Sequence, residues 1–150
     1  MISGYDADQI RAAEQACPDL LDSGELMQRA AKGLAKVTRR RMRDRGLTRV
    51  VGLVGVGNNG ADALWAIARL AAQGLQAAAV VHDVTGSPAQ QAAAEAATEA
   101  GAVVLDGTSA AALETIATAQ VVLDGVTGIG GRPGLPPFAQ GWVDAIYPGA

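Results

Sequence analysis

Aromatic side chains are nearly absent from this 150-residue chain: two tryptophans, two tyrosines and one phenylalanine make up 3% of it. Base stacking and aromatic sugar platforms are therefore disfavoured. A single cysteine, Cys17, excludes an internal disulfide framework and a cysteine-based zinc cluster. It fits a reducing, cytoplasmic setting. Cys17 stands beside Pro18 with no histidine near it in sequence, so it reads as an inert helix-end residue. The lone histidine, His82, has no partner that the sequence locates, and reads as a hydrogen-bonded residue at a strand end. No apolar run reaches the length of a membrane span, and Leu75–Val81 is broken by Gln76 before it ends at His82-Asp83. Asp6, Asp8, Arg11 and Glu14 occupy the stretch where an export signal would be apolar, so none is expected.

Positive charge is scarce outside the first third. Ten of the twelve basic residues lie in residues 1–50, and residues 51–150 carry two bases against eight acids. With a net charge of −3 and a pI near 5.0, nucleic acid is not an expected partner. The run Arg39, Arg40, Arg41, Arg43 and Arg45 reads instead as cations complementing the carboxyl end of a helix. What is present is a 49% apolar, alanine- and glycine-rich chain of a size that suits one globular domain.

The hydrophobic period changes repeatedly along it. Asp6-Ala7-Asp8-Gln9 predicts a capping box and a helix to about Ala16, stopped by Pro18. Ser23 offers a second N-cap for an amphipathic helix that ends near Gly46. Arg49–Val54 lacks polar alternation, as a strand covered on both faces does. Gly55–Gly60 reads as a loop and Ala61–Gln73 as a helix. Strands at Ala77–Val81, Ala102–Leu105 and Val121–Gly125 alternate with helices opened by Ser87-Pro88 and by Ser109. Phe138–Ile146 closes the chain as a short helix. This order predicts an α/β fold, with a mostly parallel sheet and helices on both faces.

The loop Gly55-Val56-Gly57-Asn58-Asn59-Gly60-Ala61-Asp62 joins a strand to a helix, where free N–H groups and the helix dipole favour an anion. Gly55, Gly57 and Gly60 fit the dinucleotide pattern G-x-G-x-x-G, and Asp83 follows where a ribose-binding carboxylate would lie. An NAD-binding half of an oxidoreductase is thus one reading. The side-chain amides of Asn58 and Asn59 and the carboxylate of Asp62 sit badly with it, because Asp62 would repel a pyrophosphate unless a cation intervened. No G-K-[ST] follows the glycines, which excludes a P-loop. Asp124, at the carboxyl end of the last strand, reads equally as a turn cap and as a ligand-binding carboxylate.

Gly57–Asp62 resembles the G-N-N-G-G-D segment of the NAD(P)H-hydrate epimerases, the YjeF N-terminal type of domain. Tyr5–Glu14 resembles that family's opening helix, Leu26–Ala31 its L-M-E-R-A segment, and Val122–Gly130 its V-D-A-L-F-G-T-G loop. The resemblance implies a three-layer α/β/α Rossmann-like fold, a homodimer, and interconversion of the S and R forms of hydrated NADH or NADPH at a site holding a potassium ion. By position Asn59 and Asp124 match potassium ligands. Asn58, Asn59, Gly60, Ala61 and Asp62, with Gly128, Ile129, Gly130, Gly131, Arg132, Pro133 and Gly134, match the substrate-binding segments. Asp124 is the expected acid–base residue and Asp62 the second choice. Ala61 and Thr127 replace a glycine and a phenylalanine of the family pattern. The family's V-D-x-P-S-G strand has no counterpart here, so residues 1–150 are expected to form one such domain, incomplete at its C-terminal end. A non-catalytic nucleotide-binding or interaction module that retains the fold is the remaining reading.

Overall fold

The computed structural model describes residues 4–129, 131 and 133–147. Helices α1 (Ala7–Gln15), α2 (Pro18–Asp22) and α3 (Glu25–Asp44) precede an alternation of β1 (Arg49–Val54), α4 (Asn58–Ala71), β2 (Gln76–Val81), α5 (Pro88–Glu99), β3 (Val103–Asp106), α6 (Ala110–Thr118) and β4 (Val121–Gly125). A 3-10 turn (Pro137–Ala139) leads into α7 (Gln140–Ile146). The four strands form one parallel sheet in the order β3-β2-β1-β4. The chain runs outward from β1 to β3, then crosses back to place β4 on the free side of β1. In open α/β sheets, ligands bind beyond the carboxyl ends of strands at such a switch point.

Why these residues form these layers follows from side-chain size. β1 and β2 each bury five of six residues, as centrally placed parallel strands must. On one face Val50, Val54, Ala77, Ala79 and Val81 meet the alanine-rich α4 and α5, and α3 packs through Ala35 and Met42. On the other, Val51, Leu53, Ala78 and Val80 meet Ala112 and Ile116 of α6 and Trp142 of α7. Trp142 donates its indole N–H to the Gly107 carbonyl at 2.9 Å, so its one polar atom is satisfied inside the core. The arrangement is the expected three-layer α/β/α sandwich. No helix among the described residues is long and apolar enough to cross a membrane.

Local chemistry accounts for most boundaries and for the departures. The Asp6–Gln9 capping box is formed as expected, and Ser87 and Ser109 cap α5 and α6. Pro18 opens α2 as its first residue rather than only ending α1, because its missing N–H costs nothing there. Ser23 does not cap α3; Gly24 does, at φ +71°, in a left-handed conformation that glycine adopts without strain. The loop expected over Gly55–Gly60 is shorter: α4 already begins at Asn58, and the Ala61 N–H bonds to the Gly57 carbonyl at 3.3 Å.

Candidate functional site

The turn between β1 and α4 is built by backbones in contact. A side chain on Gly55 would overlap the Val126 carbonyl, and one on Gly60 would overlap the Gly55 carbonyl. A Cβ on Gly125 would lie 2.7 Å from the Ala63 Cβ and 2.8 Å from the Leu53 carbonyl oxygen. The Gly55 N–H meets the Gly125 carbonyl at 3.0 Å, which joins the carboxyl ends of β1 and β4. Gly57 makes the corner at φ +87°.

One side chain from a third element fixes this turn. Gln90 in the first turn of α5 is 5% exposed. Its Nε2 donates to the Gly55 carbonyl at 2.7 Å and the Gly57 carbonyl at 3.3 Å, while its Oε1 accepts from the Ser87 N–H at 3.2 Å. Gln90→Ala would leave the buried Gly55 carbonyl without this donor, at a cost of about 1–3 kcal/mol. We expect a lower urea midpoint and weaker ligand binding, both read from one fluorescence-monitored titration series. An unchanged midpoint would mean that the turn does not depend on Gln90.

Beyond the turn lies a cleft of about 620 Å³. Asn58, Asn59 and Asp62 come from the first turns of α4, and Arg11 and Glu14 from α1. Val126, Thr127, Gly128, Ile129 and Gly131 follow β4, and Pro136 and Phe138 close the far side. Asn59 donates Nδ2 to the Thr127 carbonyl at 2.8 Å, tying the two glycine-containing loops together. Asp62 is half-buried, and its Oδ1 is shut off from solvent with no hydrogen-bond partner. Burial first, and the nearby Glu14 carboxylate second, push its pKa up from 3.8 to about 6. A carboxyl held that close to neutrality can pass a proton in either direction.

The expected site residues separate into those that line the cleft and those that do not. Asn58, Asn59, Asp62, Gly128, Ile129 and Gly131 line it. Gly60 and Ala61 are buried beneath it, so the Ala61 methyl group lies in the protein interior and not in the wall. Pro133 and Gly134 lie outside the wall, and Gly130 and Arg132 lie outside the described residues. Asp124 also lies outside the wall: its side chain is exposed on β4, at the edge of the sheet, and accepts from the Val126 N–H at 3.0 Å. Asp83 is drawn into its own turn. The Thr85 hydroxyl and N–H, at 2.7 and 2.8 Å, hold its carboxyl below the usual range, and no ribose contact is needed to explain it. Arg11, Glu14, Gln90 and Phe138 carry no sequence signal that marks them as site residues. His82 stacks on Phe138 with ring centroids 3.6 Å apart and so supports the cleft wall from behind.

The donor chemistry bears on a potassium ion. Asn59 keeps Oδ1 free once Nδ2 is engaged, and the Asp124 carboxylate uses one oxygen on Val126. The Asn59 main-chain carbonyl comes near Gly125, the residue after Asp124, lying 3.2 Å from where a Gly125 Cβ would be. Amide and carboxylate oxygens are hard donors suited to an alkali cation. Among the described residues no cluster of three or more His, Cys, Asp or Glu could hold a metal. Asn59 Oδ1 and the second Asp124 oxygen are thus two donors of the type that a monovalent ion takes.

Comparison with known proteins decides the family. The family described as YjeF-related protein N-terminus matches residues 23–147. The chain belongs to this family. It is 41% identical over 152 residues to an NAD(P)H-hydrate epimerase of Clavibacter sepedonicus, covering 97% of this chain and 62% of that protein. It is 39% identical over 139 residues to the bifunctional NAD(P)H-hydrate repair enzyme Nnr of Mycobacterium tuberculosis, covering 90% of this chain and 28% of that protein. The chain thus spans less than two thirds of the length of either relative. The crystal structure of yeast ynu0 superposes with a TM-score of 0.80 at 18% identity, over 97% of this chain and 65% of that one, and supports the fold. The YjeF-related domain carries its G-N-N-G-A-D turn on the cleft described above, between β1 and β4.

Proposed function

We propose that this domain interconverts the S and R forms of hydrated NADH or NADPH, with Asp62 as the acid–base residue. The observation that carries the reading is the half-buried Asp62 carboxyl, unpartnered at Oδ1 in a cleft whose motif belongs to a family with relatives named as epimerases. Inversion at C6 of the ring requires that carbon to become trigonal. Protonated Asp62 gives its proton to the departing hydroxyl, which leaves as water. The ring nitrogen's electron pair compensates the carbon. The planar ring then turns over within the cleft, and the Asp62 carboxylate takes a proton from water adding to the face now presented to it, which inverts C6 and restores the acid. A carboxyl with a pKa of about 6 is suited to both halves of this cycle at neutral pH. Asn58 and the loop after β4 would orient the ring and exclude competing water.

Asn59 and Asp124 would hold the potassium ion. Bound there, it would supply positive charge beside the acids and the substrate phosphates. In this reading Asp124 serves the cation, because its carboxylate is exposed at the end of β4 and is engaged by the Val126 N–H.

The test is epimer equilibration by the 150-residue chain, followed by chromatography in potassium chloride and in an equal concentration of lithium chloride. Equilibration well above the spontaneous rate, and faster in potassium, is expected. A rate equal to the spontaneous one in both salts would remove the proposal for this chain.

A further inference from the structure

We propose that Arg11 of α1 is the residue that binds the pyrophosphate of the dinucleotide. The charges in the cleft raise the problem it solves. Glu14 and Asp62 are both acids, whereas a dinucleotide brings a pyrophosphate carrying two negative charges at neutral pH. Among the described cleft residues Arg11 is the only cation. The amino end of α4 adds partial positive charge, about half an elementary unit. A guanidinium carried by the chain itself adds to this, and to the charge that a potassium ion at Asn59 and Asp124 would bring.

Arg11 is placed and loosely held for that task. α1 buries none of its residues, so the core does not require Arg11. Its Nη1 pairs with Asp8 at 2.9 Å, and Nη2 lies 3.5 Å from the Ile129 carbonyl across the cleft mouth. Its side chain is 46% exposed and that of Asp8 is 92% exposed, so the pair is solvated and exchanges readily for a better anion. A planar guanidinium offers parallel N–H groups that match two phosphate oxygens. Asp8 would hold the fork in position until the ligand replaces it.

The inference takes its ligand class from the epimerase reading, and the experiment separates the two. Binding of ADP, which has the pyrophosphate but no nicotinamide, and of adenosine, which has neither, is measured by calorimetry. The full chain, Arg11→Ala and Arg11→Lys are compared at two salt concentrations. We expect the unaltered chain to bind ADP more tightly than adenosine. Arg11→Ala should weaken ADP by roughly tenfold or more, leave adenosine unchanged and flatten the salt dependence. Arg11→Lys should recover part of the loss, as a point charge without the fork. Equal ADP affinity and salt dependence in Arg11→Ala, or no ADP binding by the unaltered chain, would overturn the proposal. A chain that epimerises but binds ADP independently of Arg11 refutes Arg11 alone. A chain that binds ADP through Arg11 but does not epimerise refutes the reaction and supports this residue.

Discussion

Asp62→Asn lowers the rate of epimer interconversion by roughly 10²- to 10⁴-fold, the usual range for loss of a general acid–base group. The amide has nearly the same shape but neither gives nor takes a proton at neutral pH. Substrate affinity should change far less than turnover. A second readout follows from linkage. The folded-state pKa of Asp62 is raised from 3.8 to about 6, so the folded chain holds this proton more tightly than the unfolded chain. The associated stability is fully present below about pH 3.8 and is lost as pH rises through about 6. Above pH 6 the folded protein bears a half-buried charge that the neutral amide would not carry. The variant should therefore be more stable than the parent at pH 7, by on the order of 1 kcal/mol after allowance for solvent screening. The difference should fade as pH falls below 6. Thermal unfolding at pH 4 and pH 7 measures it. A variant less stable than the parent at pH 7, with turnover unchanged, would deny Asp62 both its burial penalty and its chemistry.

How much of this site can be read from sequence differs from residue to residue. Arg49–Val54 and Val121–Gly125 are legible as strands because an uninterrupted apolar run between turn signals is a local property. Ser109 is legible as the start of α6 because an N-cap side chain bonds within its own first turn. The G-N-N-G-A-D turn is legible as a site because strand, glycines and helix stand together in sequence. Burial of Asp62 is not legible, since it depends on α1 closing one side of the cleft and bringing Glu14 close. Gln90 is hidden more deeply: Ser87-Pro88 announces a helix, yet only tertiary packing carries the Gln90 amide to Gly55. Asp124 shows the converse. Its position at a strand end is evident, but its exposure follows from β4 lying at the sheet edge, which strand order decides and residue type does not.

Gly55→Ala destabilises the domain by about 3 kcal/mol or more, whereas Gly33→Ala stabilises it by about 0.5–1 kcal/mol. The same methyl group is added in both cases. At Gly33, on the exposed side of α3, a Cβ meets nothing within 4 Å, and the gain is the lower backbone entropy of the unfolded chain. At Gly55 the Cβ would overlap the Val126 carbonyl, a backbone group that cannot rotate away. Relief by shifting Val126 pulls on the Gly55–Gly125 hydrogen bond and on the Val54–Gly125 pairing. Relief by shifting Gly55 breaks the bond from Gln90. Either route opens the junction of β1 with β4, and both walls of the cleft hang from that junction. Loss of stability and loss of ADP binding should therefore coincide in Gly55→Ala, while Gly33→Ala binds as the parent does. Urea midpoints and calorimetry on the two variants test the pair together. If Gly55→Ala kept the parent's midpoint, the two strand ends would not be in contact, and the cleft would have to be built some other way.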